Sequence, residues 1–591
     1  MKTAMLTRKK LYPLGKDVLL CTLLLAVFAA VSFFNLGDTS FPKTSYNFTD
    51  NEPVFIDFGQ PMRFQGVVFL NGGNHNTGFR IYSWDGGDDF HLCHEESRNI
   101  KFRWLAFGFD EIARYVVIEP LAPYISILEM GFLATNAGGT PEENKLSGSR
   151  VSPALGSSGF AEPVAFSSAG VARMFDESRL IPQNPSYMND MNFDESLHAV
   201  TAYEFLNALP PTEWTHPPLG KSIIAMGIDI FGMTPFGWRF MSAIFGLLMI
   251  IPIYALGRFM FGSRLLAFLA ALVFTFDFMH FVQARVATLD TFLVTFIICM
   301  YLFMYKYIQI KPDNRLAPKS LVYLALSGIF MGLAISVKWQ GMYAGLGLGV
   351  LFAIAWFESR ADYIGKKRKR LFTMNVTRTA LWCVLFFIFI PIAIYCLSYI
   401  PFSRASGLRW PGGIIKNQSD MFNFHSYQAE NNDYQSRWWT WPLNLKPIYY
   451  YRHVMDDGKY RGINSFGNPA LWWGGFLGLV WCVKRWIANH DKTARFLCIA
   501  WAAQILPWVF ISRATFIYHY YPCVPFLALI VAYFVKTRTK HRQRWYALSC
   551  CAVVLIMFAV FYPTISGMLV NINTIERLQW LPGWRFIGLS P

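Results

Sequence analysis

The chain has 591 residues, 54% of them hydrophobic and only 15% charged, with a formal net charge of +16. A soluble globular protein has about a quarter of its residues charged, so that class is excluded. The positive charge lies in short segments beside apolar runs and not on one face, which sets aside nucleic acid as a partner.

In chain order, Arg8, Lys9, Lys10 and Lys16 precede a first apolar run at 17–36. Ala29, Ala30 and Ser32 would suit a cleavable signal, but an uncleaved anchor gives the more consistent topology. Residues 1–40 are therefore expected to be a cytoplasmic N-terminus and first transmembrane helix. Residues 45–140 change character: short β-rich runs such as Pro53–Phe58, Gly66–Leu70 and Arg114–Ile118 alternate with turn clusters such as Asn71-Gly72-Gly73-Asn74. This predicts an extracytoplasmic β-sandwich module, weakly similar to galactose-binding-like jelly rolls, with a carbohydrate ligand or a rigid spacer role as its two readings. Residues 141–192 read as a Gly/Ser/Pro/Asn-rich connector. Of the ten cysteines only Cys93 lies in this external part, and no disulfide or CxxC metal framework is visible.

Residues 193–235 carry an adjacent acid pair, Asp194 and Glu195, followed by His216-Pro217-Pro218-Leu219-Gly220-Lys221. Transmembrane helices are expected across 236–401 and 468–565, near 236–257, 264–283, 288–308, 319–337, 341–357, 379–401, 468–484, 494–511, 518–536 and 545–563. With the first run this makes about eleven. Alternation puts all three basic clusters, including Lys366–Arg370 and Lys536–Arg544, on the cytoplasmic side, as charge bias requires. The loop 402–467, rich in Trp and Tyr, and the tail 566–591 then lie outside.

Several polar groups converge on that external face: Asp194 and Glu195, His216 and Lys221, Asp277, His280 and Arg285, Asp290, Lys338, His425, and Arg513, Tyr518 and His519. Singly, each has an ordinary explanation as a cap, a snorkelling cation or a packed histidine. Together they suit one chemistry. Outside the cytoplasm a membrane enzyme can draw a sugar from a polyprenyl phosphate. Arg and Lys would grip the phosphate, and a carboxylate on the opposite face would activate the attacking hydroxyl with inversion. Trp439, Trp441 and Tyr518 are candidate lining residues, because aromatic faces stack on sugars or prenyl chains.

The stretches FDESLHAVTAYE, THPPLGK, FMHFVQARVATLD, SVKWQGMY, SRWWTWPLNLKPIYYY and FIYHYYPCVPF closely resemble bacterial protein O-mannosyltransferases, in family order over roughly 185–565. The resemblance implies a mainly α, polytopic C-type glycosyltransferase fold. It also implies transfer of mannose from a polyprenyl-phosphate donor to Ser or Thr of a secreted protein, and membrane-surface helices at 194–208 and 217–232. Asp194 matches the family's base, with Glu195 beside it. Arg285 matches an arginine supporting the phosphate or the structure. His216, Lys221, Lys338, Arg513 and His519 are assigned to donor binding. A second FDES, Phe175–Ser178, reads as connector. The expected partners are the lipid donor, the acceptor protein and membrane lipid in a plasma-membrane setting. No metal is assigned and a divalent requirement is left open. The alternatives are transfer of another lipid-linked sugar, such as an aminoarabinose-like pentose, to a glycolipid or wall polymer, and a transporter or flippase.

Overall fold

The computed structural model describes residues 14–73, 77–98, 100–136, 160–182, 185–365, 368–427, 433–455 and 457–588. Arg8, Lys9, Lys10, Lys366, Lys367 and 141–159 of the expected connector lie outside them.

Nine helices among the described residues are long and apolar enough to cross a bilayer, from Gly15–Phe33 to Lys540–Ile565. Their surfaces fit lipid better than water. The span Lys369–Ser406 is only 11% buried, with Leu381, Phe389, Ile392 and Leu397 bare. Such a continuous apolar surface is stable only against another apolar phase. Two more expected spans occur as other kinds of helix. Pro469–Asn489 is continuous but rich in Trp and Gly. The run expected at 264–283 breaks into Arg264–Thr275 and Phe278–Gln283. Asp277 causes the break, since its carboxylate accepts the Met279 and His280 N–H groups at 3.1 and 3.3 Å and starts a new helix.

Four helices frame the acid pair: α1 (Leu14–Phe33), α2 (Glu195–Leu206), α3 (Leu219–Phe231) and α4 (Pro235–Phe261). Gly232, at φ +76°, allows the tight turn out of α3. Thr234 then caps α4 by accepting the Gly237 N–H at 2.9 Å, with Pro235 at the first helical position.

The N-terminal β module is one curled antiparallel sheet. Its strands are β1 (Tyr46–Phe48), β2 (Val54–Asn71), β3 (Phe79–Trp84), β4 (Phe90–Glu96), β5 (Trp104–Pro120), β6 (Ile125–Asn136) and β7 (Ala165–Phe166). Their order is β1-β6-β2-β5-β3-β4, with β7 on β2. Register shifts in β2 between Asp57 and Met62 and between Phe64 and Gly66 let this long strand bend. One face closes over its own core of Ile56, Phe64, Val67, Phe69, Ile118 and Phe132. Val68, Leu70, Phe102, Trp104 and Leu128 join the core of the helical body instead.

The described residues of 402–467 form more than a loop. They contain the helix Gly412–Tyr427 and a hairpin of β8 (Ile448–Val454) and β9 (Lys459–Ser465). The tail returns as β10 (Val570–Asn571) against β9.

Candidate active site

Asp194 and Glu195 are neighbours in sequence and opposites in environment. Glu195 is fully buried. Its two oxygens take Arg239 Nε and Nη2 at 2.7 Å each, the Asn192 N–H at 2.8 Å and the Ala287 N–H at 3.0 Å. Arg239 also donates to the carbonyls of Leu36, Tyr187 and Asp190. A bidentate buried pair with every donor used is a fixed joint.

The Asp194 carboxylate accepts no hydrogen bond from any described residue and does not cap its own helix. Burial, with Asp290 and Glu213 nearby, pushes its pKa up to about 7, while Lys338 works in the other direction. The preceding residue, Phe193, holds a left-handed backbone at φ +51°. That conformation costs a non-glycine residue about 1–3 kcal/mol. It is held by stacking on Tyr450 at 4.2 Å and an edge contact with Tyr518 at 5.9 Å. Tyr450 is itself fixed by Gln283, whose Nε2 donates to its hydroxyl at 2.8 Å.

A cavity of about 510 Å³ is lined by His216, Lys338, His425, Arg513 and His519 on its polar side and by Trp339, Tyr343, Phe422, Trp508 and Phe510 on its apolar side. Lys338 binds both oxygens of Asp290 at 2.9 Å and lies 5.7 Å from the Tyr518 ring centroid. Arg513 has no acidic partner among the described residues, and burial lowers its pKa. His216 presents its ring to the cavity while its Nδ1 sits 3.0 Å from a Glu213 oxygen. Burial holds the imidazole of His216 below its usual range and brings that of His425 down to about 4, so both are neutral at pH 7. The Nε2 of His425 lies 2.8 Å from the Thr215 carbonyl.

The remaining candidates are placed elsewhere. Lys221 is buried and spends its donors on Glu213 and the carbonyls of Glu213 and His216, so it braces the His-Pro-Pro turn. Arg285 donates to the carbonyls of Phe34 and Asn35 at 3.0 and 2.6 Å, closing the end of α1, and it does not line the cavity. Trp441 is fully buried behind the cavity wall, stacked on His519 at 6.0 Å and edge-on to Trp508 at 5.5 Å. Trp439 is 52% exposed and does not line this cavity. Tyr518 stands between Phe193 and Lys338 and not on the cavity wall. Asp277 and His280 serve packing: Asp277 also accepts from Asn468 and Trp472, and His280 pairs with the Tyr521 hydroxyl at 2.8 Å.

Two residues of consequence escaped the sequence reading. Glu213 joins His216 and Lys221 in one buried network, and its signal was an acid three residues before a histidine. Arg239 is a single arginine in the apolar run Pro235-Phe-Gly-Trp-Arg-Phe-Met241; a buried cation there implies a buried acid. As to metals, the described acids Glu129, Asp176 and Glu177 bring their oxygens within 4.8 Å of one another on the β module, and none of the three lines the cavity.

Residues 229–402 match the family model described as dolichyl-phosphate-mannose-protein mannosyltransferase, and 412–584 match that of the C-terminal four TMM region of protein-O-mannosyltransferase. The polyprenol-phosphate-mannose–protein mannosyltransferase of Mycolicibacterium smegmatis is 27% identical over 424 residues, covering 63% of this chain and 82% of that one. Its namesake from Corynebacterium glutamicum is 27% identical over 428 residues, covering 63% and 81%. Among solved structures, the Saccharomyces cerevisiae protein O-mannosyltransferase Pmt1-Pmt2 complex bound to the sugar donor superposes with a TM-score of 0.57 at 14% identity, over 67% of this chain and 89% of that one. That likeness gives the C-type glycosyltransferase fold. With two models of one family matching in order over more than half of its length, the chain belongs to the protein O-mannosyltransferases, which are membrane glycosyltransferases.

Proposed function

We propose that the chain moves mannose from a polyprenyl-phosphate donor to Ser or Thr hydroxyls of secreted proteins, inverting the anomeric carbon. The supporting observation is an uncommitted, half-buried carboxylate, Asp194, within electrostatic reach of the Lys338 that lines a cavity whose Arg513 has no acid partner among the described residues. A partly buried cation without a described counter-ion in a half-open cavity favours an anionic ligand. The phosphate of the donor is that anion, and the relatives' printed names give polyprenol-phosphate-mannose as their donor.

In the proposed step the acceptor hydroxyl attacks the anomeric carbon as its proton passes to an Asp194 oxygen. The bond from that carbon to the phosphate oxygen breaks. Arg513 then holds the charge on the departing phosphate, with Lys338, itself paired with Asp290, and His216 and His519 facing the same space. Glu195, locked to Arg239, fixes the start of α2 and so the place of Asp194. Lys221 orients His216 through Glu213, and Arg285 supports the tip after Gln283 from behind. The aromatic wall suits a sugar face or the first prenyl units. The site faces outward from the plasma membrane with the N-terminus inside, the arrangement that puts the basic clusters in the cytoplasm. The relatives are transferases, which favours transfer over transport and mannose over another sugar.

The test is transfer by the purified chain from labelled polyprenyl-phosphate mannose to a Ser/Thr peptide. The reading expects mannose on the hydroxyl with anomeric configuration opposite to the donor's. A retained configuration, or flux of donor across sealed vesicles without covalent product, overturns it.

A further inference from the structure

The β module does more than sit beside the enzyme. Its segment Lys101-Phe102-Arg103-Trp104 reaches both ends of α2. Lys101 Nζ meets Glu204 Oε1 at 2.8 Å, and both side chains are buried. Glu204 also accepts the Thr212 N–H and hydroxyl at 2.6 Å each. The next residue, Glu213, donates its N–H to the Thr201 hydroxyl at 2.8 Å and carries the network that orients His216. At the other end, Arg103 Nε lies 3.6 Å from an Asp190 carboxylate oxygen. The Asp190 carbonyl in turn accepts from Arg239, the partner of Glu195, at 2.9 Å.

Between these two links Phe102 meets the Tyr203 ring edge-on at 4.7 Å. Phe102 holds φ +52°, a left-handed conformation that a phenylalanine keeps only when its surroundings impose it. Its N–H is fixed to the Asn71 carbonyl at 2.9 Å. Trp104 continues the contact through Phe41 to Trp238, next to Arg239.

We infer that Lys101–Trp104 is a positioning clamp through which the β module holds α2 and the loop after it, keeping Asp194 within reach of Lys338 and His216 on the cavity wall. This rests on the reading of Asp194 as the base. The buried ion pair ties the place of the β module to that of α2, because either partner left unpaired there is strongly unfavourable.

The experiment uses the full chain in lipid nanodiscs with labelled polyprenyl-phosphate mannose and a Ser/Thr peptide. Turnover is normalised to the amount of enzyme that binds donor. Lys101→Met is expected to lower kcat by roughly ten- to a hundredfold, as small misplacements of reacting groups do. Donor KM should change by less than about twofold, the split expected when only the transition state is affected. Lys101→Arg should restore most of kcat. The double variant Lys101→Met with Glu204→Gln removes the stranded charge and should stay slow. Unchanged kcat in Lys101→Met, or full recovery in the double variant, overturns the clamp. Should Lys101→Met not fold, Arg103→Gln at the half-exposed link is read instead. About a two- to fivefold fall in kcat is expected there, the scale of one partly exposed pair, and no fall overturns the clamp. Failure of the Asp194 reading looks different: Asp194→Asn would keep full transfer whatever the clamp variants do.

Discussion

Phe-Asp-Glu-Ser occurs at 175–178 and again at 193–196, and the two copies live in different worlds. In the first, Glu177 receives the N–H groups of Lys43 and Thr44 at 2.7 and 3.0 Å, and Asp176 receives the Thr44 hydroxyl at 2.7 Å. Asp176 is exposed, so water satisfies what the protein does not. The buried Glu129 beside them is pushed up to about 8, chiefly by burial, and carries a proton at neutral pH. In the second copy Glu195 is locked by Arg239, while Asp194 keeps a carboxylate free of donors among the described residues. The same letters make a surface turn in one place and a candidate base in the other. The difference comes from Arg239 on Glu195 and from burial with Lys338 nearby at Asp194, both cations distant in sequence.

That contrast can be broken by substitution. The largest effect is expected from Asp194→Asn, which should cost about 10²–10⁴-fold in transfer, the usual contribution of a general base, with donor binding retained. Labelled-donor turnover beside a donor-binding isotherm checks it. Next comes Arg239→Ala. It strands the buried Glu195 carboxylate and should destabilise the protein by about 3–5 kcal/mol, seen as a lowered midpoint of unfolding in detergent. Arg513→Ala should weaken donor use by about 1.5–3 kcal/mol, the range for a hydrogen bond to a charged group, read in donor KM or dissociation constant. The smallest effect belongs to the first copy. Asp176→Asn should change stability by less than about 0.5 kcal/mol and leave turnover alone, as exposed substitutions do. A large loss of transfer in Asp176→Asn would mean that the two copies were assigned the wrong way round.

Much of the architecture is legible in the chain itself. Continuous apolar runs name their own spans, because the bilayer applies the same length test to every segment. The break at Asp277 was not legible. A carboxylate inside an apolar run becomes a helix cap only when Asn468 and Trp472 arrive from nearly 200 residues away to complete its hydrogen bonds. The site shows the same division. Its acids and cations could be named, and four of the assigned donor residues, His216, Lys338, Arg513 and His519, do line one cavity. Which of them were free to act could not be read, since that depends on partners. Lys221 is spent on Glu213, and Arg285 on the end of α1. Trp439 and Trp441, two residues apart, fall on opposite sides of burial, because the short turn Trp438–Thr440 rotates one outward.

Asp194, the proposed base, has its carboxyl pKa raised to about 7 by burial. The pH dependence of kcat/KM for transfer tests that role most directly. Because burial raises this pKa to about 7, the basic form is lost as pH falls, and the wild-type rate should drop towards tenfold per pH unit below that point. His425, at about 4, stays neutral through most of this window. A rate that fell in this way would place the titrating base where the structure has Asp194. A rate flat from pH 8 down to pH 5, or rising with acid, would contradict the assignment.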